Sequence, residues 1–268
     1  MAHKFNFPKK YPWHLIILHI FFLLMGKSAF SETIKIGYFI LPPHQYIVNG
    51  QSKPTGAAIR YFETVASKVG NTVEWIGPFP LLRLGEKLKS GEVDGTVGFN
   101  KFPELERFLQ YTRTPMFFAR PILVVRKDNS LKQIDSIDDI KGWRIGIIST
   151  ISGTYTPLID NHSDKIALEP LGHGAWAESN IKKLIHGRVD AVFERNQFTL
   201  PFIAAKMKVN TQIKILYVPD PPTPMYVAFS KASKRHPMLT KKYNTAIAEL
   251  NLNYEQMAQK EIDKIANK

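Results

Sequence analysis

Cysteine is missing altogether from this 268-residue chain. Its absence removes disulfides, thiolate nucleophiles and cysteine metal sites, together with the lipidated cysteine that tethers some exported binders. Metal-spaced histidines are missing too. His162, His173 and His186 fall in different elements, and no His-Glu-x-x-His occurs. There is no Gly-x-Ser-x-Gly elbow and no glycine-rich phosphate loop, so metal-dependent and nucleophilic hydrolysis have no residues to start from. Long apolar runs are also lacking. The longest, Leu15 to Met25, is interrupted by His19 and falls short of the roughly 20 residues that span a bilayer as a helix. Acid is scarce relative to base, 23 Asp and Glu against 36 Lys and Arg, for a formal net charge of +13.

That short apolar run is preceded by Lys4, Lys9 and Lys10 and followed by small residues at Ala29 and Ser31. The pattern predicts a secretory signal peptide over residues 1–31, with cleavage after Ser31 and release into the periplasm of a diderm bacterium. The basic excess first suggests nucleic acid or a membrane surface. However, Lys132, Lys141, Lys182, Lys183, Lys231, Lys234, Lys241 and Lys242 are scattered, without interleaved stacking aromatics. In an exported protein they are expected to be solvated faces of helices, with no nucleic-acid partner.

Two stretches repeat one device. Leu88-Lys-Ser-Gly91-Glu-Val-Asp94 is followed by an apolar run to Phe99, and Leu184-Ile-His-Gly187-Arg-Val-Asp190 by another to Glu194. Each reads as the last turn of a helix, a glycine stop, a two-residue turn and a short strand starting at the aspartate. Roughly a hundred residues separate the copies, too far for a stacked solenoid and suited to two similar α/β lobes. Ligands of open α/β sheets sit beyond the carboxyl ends of parallel strands. The residues ending each copy, Phe99, Asn100 and Lys101 in one and Glu194, Arg195 and Asn196 in the other, are therefore expected to face one cleft.

Around these copies the periodicity predicts strands over 33–39 and 72–76, helices over 57–68 and 81–89, and an extended passage over 112–127. A second α/β series follows to residue 218, then a proline-rich crossing (Pro219, Pro221, Pro222, Pro224), a returning strand at 226–229 and helices over 234–250 and 254–266. The expected architecture is a mostly parallel sheet with right-handed crossovers in each lobe, joined by a two-strand hinge. Lobe I covers 32–124 plus 225–268, and lobe II covers 125–224.

In the order and spacing of its short blocks the chain resembles the bacterial extracellular solute-binding proteins of family 3, which include amino acid receptors of ABC transporters. The blocks are Ile36-Gly37 with Pro42-Pro43-His44, Lys53-Pro-Thr-Gly56, Leu88 to Asp94, Phe102-Pro-Glu-Leu-Glu-Arg107 with Tyr111-Thr-Arg-Thr-Pro115, Ile145-Gly146-Ile147 with Gly153-Thr154-Tyr155, and Gly187 to Ala191. The resemblance implies a two-lobe periplasmic binding protein fold of type II, a mixed α/β architecture. It also implies a monomer that delivers a small solute to an inner-membrane permease, without a cofactor. Amino acid receptors of this family hold the ligand carboxylate with an arginine two residues after a proline, where this chain has Leu105. They hold the ammonium with an aspartate five residues beyond the second Gly-x-x-Asp aspartate, where this chain has Arg195. Arg107 restores the first clamp only if its loop shifts.

These departures point to an anionic or otherwise polar organic solute. Arg195 and, from lobe I, Arg83 are the candidate clamp, because guanidinium forks match carboxylate geometry. Ser152, Gly153 and Thr154 offer amides and hydroxyls at a helix start. Tyr38, His44, Phe99, Tyr155 and Trp176 are candidate walls, with Asn100 and Lys101 beside them. Two alternatives stay open. One is a sensory module for a membrane kinase or cyclase. The other is a dehydratase of the same fold using Glu194 as acid or base.

Overall fold

The computed structural model describes residues 32–149, 155–172 and 174–267. The signal segment and Ser152, Gly153 and Thr154 lie outside them. In chain order the elements are β1 (Glu32–Gly37), β2 (Tyr46–Ile47), β3 (Pro54–Thr55), α1 (Ala57–Lys68), β4 (Asn71–Ile76), α2 (Leu81–Ser90), β5 (Gly95–Phe99), α3 (Pro103–Glu106), β6 (Leu109–Tyr111), β7 (Phe117–Ala119) and β8 (Ile122–Arg126). There follow β9 (Arg144–Ile148), α4 (Pro157–Asp160), β10 (Ala167–Leu171), α5 (Trp176–Ile185), β11 (Ala191–Glu194), α6 (Thr199–Lys206), β12 (Ile213–Tyr217), β13 (Thr223–Ser230), α7 (His236–Leu250) and α8 (Tyr254–Ala266).

Two sheets carry the fold, ordered β4-β1-β5-β13-β6, with β7 also on β13, and β10-β9-β11-β8-β12. β1 and β5 run parallel, as do β10, β9 and β11; β13 runs against β5, and β8 runs against both β11 and β12. β8 pairs with β12 over its full length and with β11 at Ile122, Leu123 and Val124. These three residues, on the lobe I side of the expected boundary at 124/125, thus belong to the second sheet, and the chain leaves the first sheet at the Arg120-Pro121 link between β7 and β8. The return link is Val218–Pro222, between β12 and β13.

The repeat has a shared physical basis. Both stop glycines, Gly91 and Gly187, hold the left-handed backbone that only glycine adopts without strain (φ 75 and 67). Each aspartate then precedes its strand instead of starting it. Asp94 N–H donates to Lys35 O at 2.7 Å, and Lys35 N–H donates back to the Asp94 carboxylate at 2.9 Å. Asp190 and Arg144 exchange the same two bonds, both at 2.8 Å. The carboxylate thus extends the parallel ladder by one rung and fixes its register. Asp94 is also bonded by Ser233 and paired with Arg235, while Asp190 is paired with Arg144.

Apolar spacing builds the rest. α1 buries Ala58, Tyr61, Phe62, Val65 and Ala66 along one stripe, and each fully buried side chain as large as Phe62 contributes roughly 2–3 kcal/mol. One apolar cluster includes Ile34 and Val97 from the first sheet, Val124 and Val192 from the second, and Ala204 and Tyr254 from α6 and α8. Smaller clusters lie on the other face of each sheet.

Candidate functional site

Register places the strand ends. Tyr226 of β13 sits opposite Phe99 and Ile122 of β8 opposite Glu194, so the antiparallel strands enter each sheet where the parallel strands leave it. β7 pairs with β13 at the same end, and Arg120-Pro121 joins it to β8. The carboxyl ends of both sheets therefore converge on the links between them, where such folds bind ligands.

On the first sheet, Phe99 makes an edge contact with Phe39 at 6.1 Å. Asn100 is half-buried and Lys101 exposed. The Lys101 ammonium lies 4.3 Å from the centre of the Tyr226 ring, a cation–π contact at the tip of β5.

On the second sheet, Tyr155 O–H donates to Ile148 O at 3.1 Å, and its ring stands on Phe193 at 5.9 Å. Glu194 is buried and Arg195 exposed. Burial pushes the Glu194 carboxyl up to about 7, against the opposing pull of the Arg195 and Asn196 amides and the Arg195 charge. The amide of Arg195 donates to it at 2.7 Å. Trp176, half-buried at the start of α5, packs on the main core.

Three expected site residues sit otherwise than foreseen. Tyr38 is buried, its ring edge-on to Trp75, and belongs to the core instead of a wall. Arg83 is exposed and spends its guanidinium on Glu86, 2.9 Å away and one turn along α2, a ready local partner that weakens its case as a clamp. His44 is buried with its ring stacked on Phe117 at 5.2 Å and near-parallel to Tyr254 at 5.9 Å. Its nitrogens reach Tyr254 Oη at 2.6 Å and Asn196 Oδ1 at 3.3 Å. Burial lowers its pKa to about 4, against the Asn196 bond that would raise it. A ring packed and bonded in this way joins the first sheet's loop to the second sheet's strand end and offers no face to a solute.

Asn196 is the member of this group that was not foreseen as capping. Its Oδ1 accepts the amides of Phe198 and Thr199, both at 3.0 Å. An asparagine just ahead of an apolar helix is the signal for such a cap. Arg107, the possible substitute for the absent arginine, stacks over the Phe108 ring at 4.7 Å. Among the described residues no group of acidic or histidine side chains is arranged to hold a metal ion. No helix there is long and apolar enough to cross a membrane.

The family described as bacterial extracellular solute-binding proteins, family 3, matches residues 34–268. Among solved structures, the chain is similar to an amino acid ABC transporter substrate-binding protein, AbpA from Streptococcus pneumoniae, bound to L-arginine. The identity is 20%, over 88% of this chain and 97% of that one, with a TM-score of 0.65. It is similar to an ancestral cationic amino acid solute-binding protein at 19% identity, over 87% and 94% of the two chains, with a TM-score of 0.67. It is also similar to the periplasmic VFT2 domain of BvgS from Bordetella pertussis at 17% identity, over 90% and 95%, with a TM-score of 0.64. At these identities the likeness establishes the fold alone, a two-lobe mixed α/β architecture. Among curated proteins, none matches the chain by sequence.

Proposed function

The chain belongs to the bacterial extracellular solute-binding proteins of family 3, and from that premise we propose that it captures a small organic anion where the strand ends of its two sheets converge. The observation that carries this reading is the pairing of exposed cations with those ends, Arg195 after β11 and Lys101 after β5. Contacts to both sheets favour the closed state, and only such differential affinity shifts the population. An ordinary α-amino acid would set its ammonium beside the Arg195 guanidinium, a like-charge contact costing several kcal/mol in a partly dry cleft.

Glu194 fits the same solute. Held neutral below about pH 7 by burial, its carboxyl donates a hydrogen bond to a solute oxygen instead of repelling it. That role is binding, and no turnover is proposed. The loaded protein serves an inner-membrane permease, after export and cleavage behind Ser31.

Thermal shift of the mature chain against organic acids, amino acids and peptides tests the reading. A ligand at 100 times its Kd adds about 2.7 kcal/mol of stability. Organic anions are expected to stabilise the protein and Arg195→Ala to abolish the effect. Stabilisation by common L-amino acids with none from amine-free acids would refute it.

A further inference from the structure

We infer that the solute carries an apolar body, a branched aliphatic or aromatic group, beside its anionic head. The inference rests on the strand-end capture proposed above and narrows it. Its basis is where the exposed hydrophobic side chains fall. Of the eight large apolar residues left open to solvent among the described residues, four are Ile40 (48% exposed), Leu81 (48%), Leu82 (68%) and Phe102 (41%). Scattered singly, such residues need no explanation. These four are not scattered.

Ile40 follows β1, Leu81 and Leu82 open α2 after β4, and Phe102 follows β5. Those strands are neighbours, in the order β4-β1-β5. Tyr38 N–H donates to Ile76 O at 3.1 Å and Phe79 N–H to Tyr38 O at 2.9 Å, so the loop after β4 runs beside the one after β1. The Phe39–Phe99 edge contact joins the loop after β1 to the end of β5. The four residues thus sit on, or directly after, three adjacent loops at one sheet edge, the carboxyl edge, where the solute is captured.

Beneath them is packed apolar material. Phe39, Ile76, Phe79 and Phe99 rest on a cluster built from Leu84, Val93 and Leu109. Lys101, within this edge, turns its ammonium to the Tyr226 ring, so the cation and the apolar surface adjoin. Ligand sites combine such a surface with a few placed polar groups. A small, fully polar acid would leave this edge wet. An amphipathic carboxylate would cover it while its head meets Lys101 and Arg195.

The test is calorimetric titration of the full mature chain with 4-methylpentanoate and phenylacetate, with acetate and succinate as polar acids and phenylacetamide as the neutral isostere. The apolar acids are expected to bind at least about tenfold tighter than acetate or succinate, and Leu82→Ser and Phe102→Ser each to weaken them roughly tenfold. Both positions are exposed, so unchanged thermal midpoints of the free variants confirm folding. Succinate binding as tightly as phenylacetate, with both variants silent, overturns the apolar body and leaves the anion clamp standing. Phenylacetamide binding as tightly as the acid, with the variants still weakening it, overturns the clamp and leaves the apolar body. Sedimentation of the free protein covers the remaining occupant. A dimer lost on Leu82→Ser, without change in solute affinity, assigns this edge to a second copy and refutes the inference, as does failure of every probe to bind.

Discussion

Asn196 Oδ1 lies 3.3 Å from the Nε2 atom of His44, and that oxygen is already the acceptor for two backbone amides ahead of α6. An oxygen used this way assigns the imidazole proton to Nε2. Nδ1 is then the acceptor for the Tyr254 hydroxyl at 2.6 Å. The contact holds a neutral ring between the loop after β1 and the strand end after β11, with Phe117 stacked on it. Asn196→Ala removes the cap and strands the Nε2 proton, with an expected loss of about 2 kcal/mol in urea unfolding. His44→Phe keeps the stacking and loses only the bonds, so it is expected to cost less than His44→Ala, for which a buried cavity adds up to about 3–5 kcal/mol.

Stability against pH separates His44 from Glu194. His44 has a folded pKa of about 4 against 6.5, so the native state binds fewer protons there than the unfolded chain. Its contribution is complete above pH 6.5 and is lost as pH falls towards 4. Glu194 has a folded pKa of about 7 against 4.5. Its contribution is complete below 4.5 and is lost as pH rises through 7. Each amounts to about 3 kcal/mol by linkage, and the two slopes oppose one another between pH 4.5 and 6.5. Glu194→Gln is therefore expected to steepen the rise in stability across that window relative to the parent, measured by urea unfolding at fixed pH steps. A parallel pair of curves would contradict the burial of Glu194.

Solute binding inherits the same group. With a neutral Glu194 donating to the solute, association takes up a proton once the free protein has lost it. The Kd is expected to rise about tenfold per pH unit above 7, and Glu194→Gln to flatten that rise. Titration at pH 6, 7, 8 and 9 reads the slope directly.

The duplicated aspartates predict unequal losses. Asp94 keeps 8% of its side chain exposed beside Arg235, and Asp190 keeps 39% beside Arg144. Asparagine retains the acceptor for the neighbouring strand's amide and removes only the charge. Asp94→Asn is expected to cost about 3 kcal/mol, because Arg235 loses its buried counter-charge. Asp190→Asn is expected to cost under about 1 kcal/mol, because that pair is well solvated. Chemical denaturation of the two single variants makes the comparison.

Local chemistry explains which features were readable from residues alone. The glycine stops, the helix stripe of Ala58 to Ala66 and the strand tips at Phe99 and Glu194 follow from short-range spacing, and α8 runs from Tyr254 to Ala266 as its periodicity predicts. The short α3 at Pro103–Glu106 and the pairing of β8 with β11 and β12 were missed. The first lies inside an irregular polar stretch. The second depends on a sheet neighbour some seventy residues away, and strands do not name their partners. His44 went astray for the same reason. Its place after the proline pair suggests a wall, while its real neighbours, Asn196 and Tyr254, are contributed by distant elements. Arg83 carried a competing clue in its own helix, the acid three residues on.

The two aspartate rungs sit at the amino ends of β5 and β11, and solute contacts are assigned to the opposite tips, on the order of 15 Å away along each strand. Alignment is thus guarded at one edge while recognition is exercised at the other. Exchanging Leu82, Phe102 or Arg195 leaves both rungs untouched, so recognition can be altered while strand register is kept.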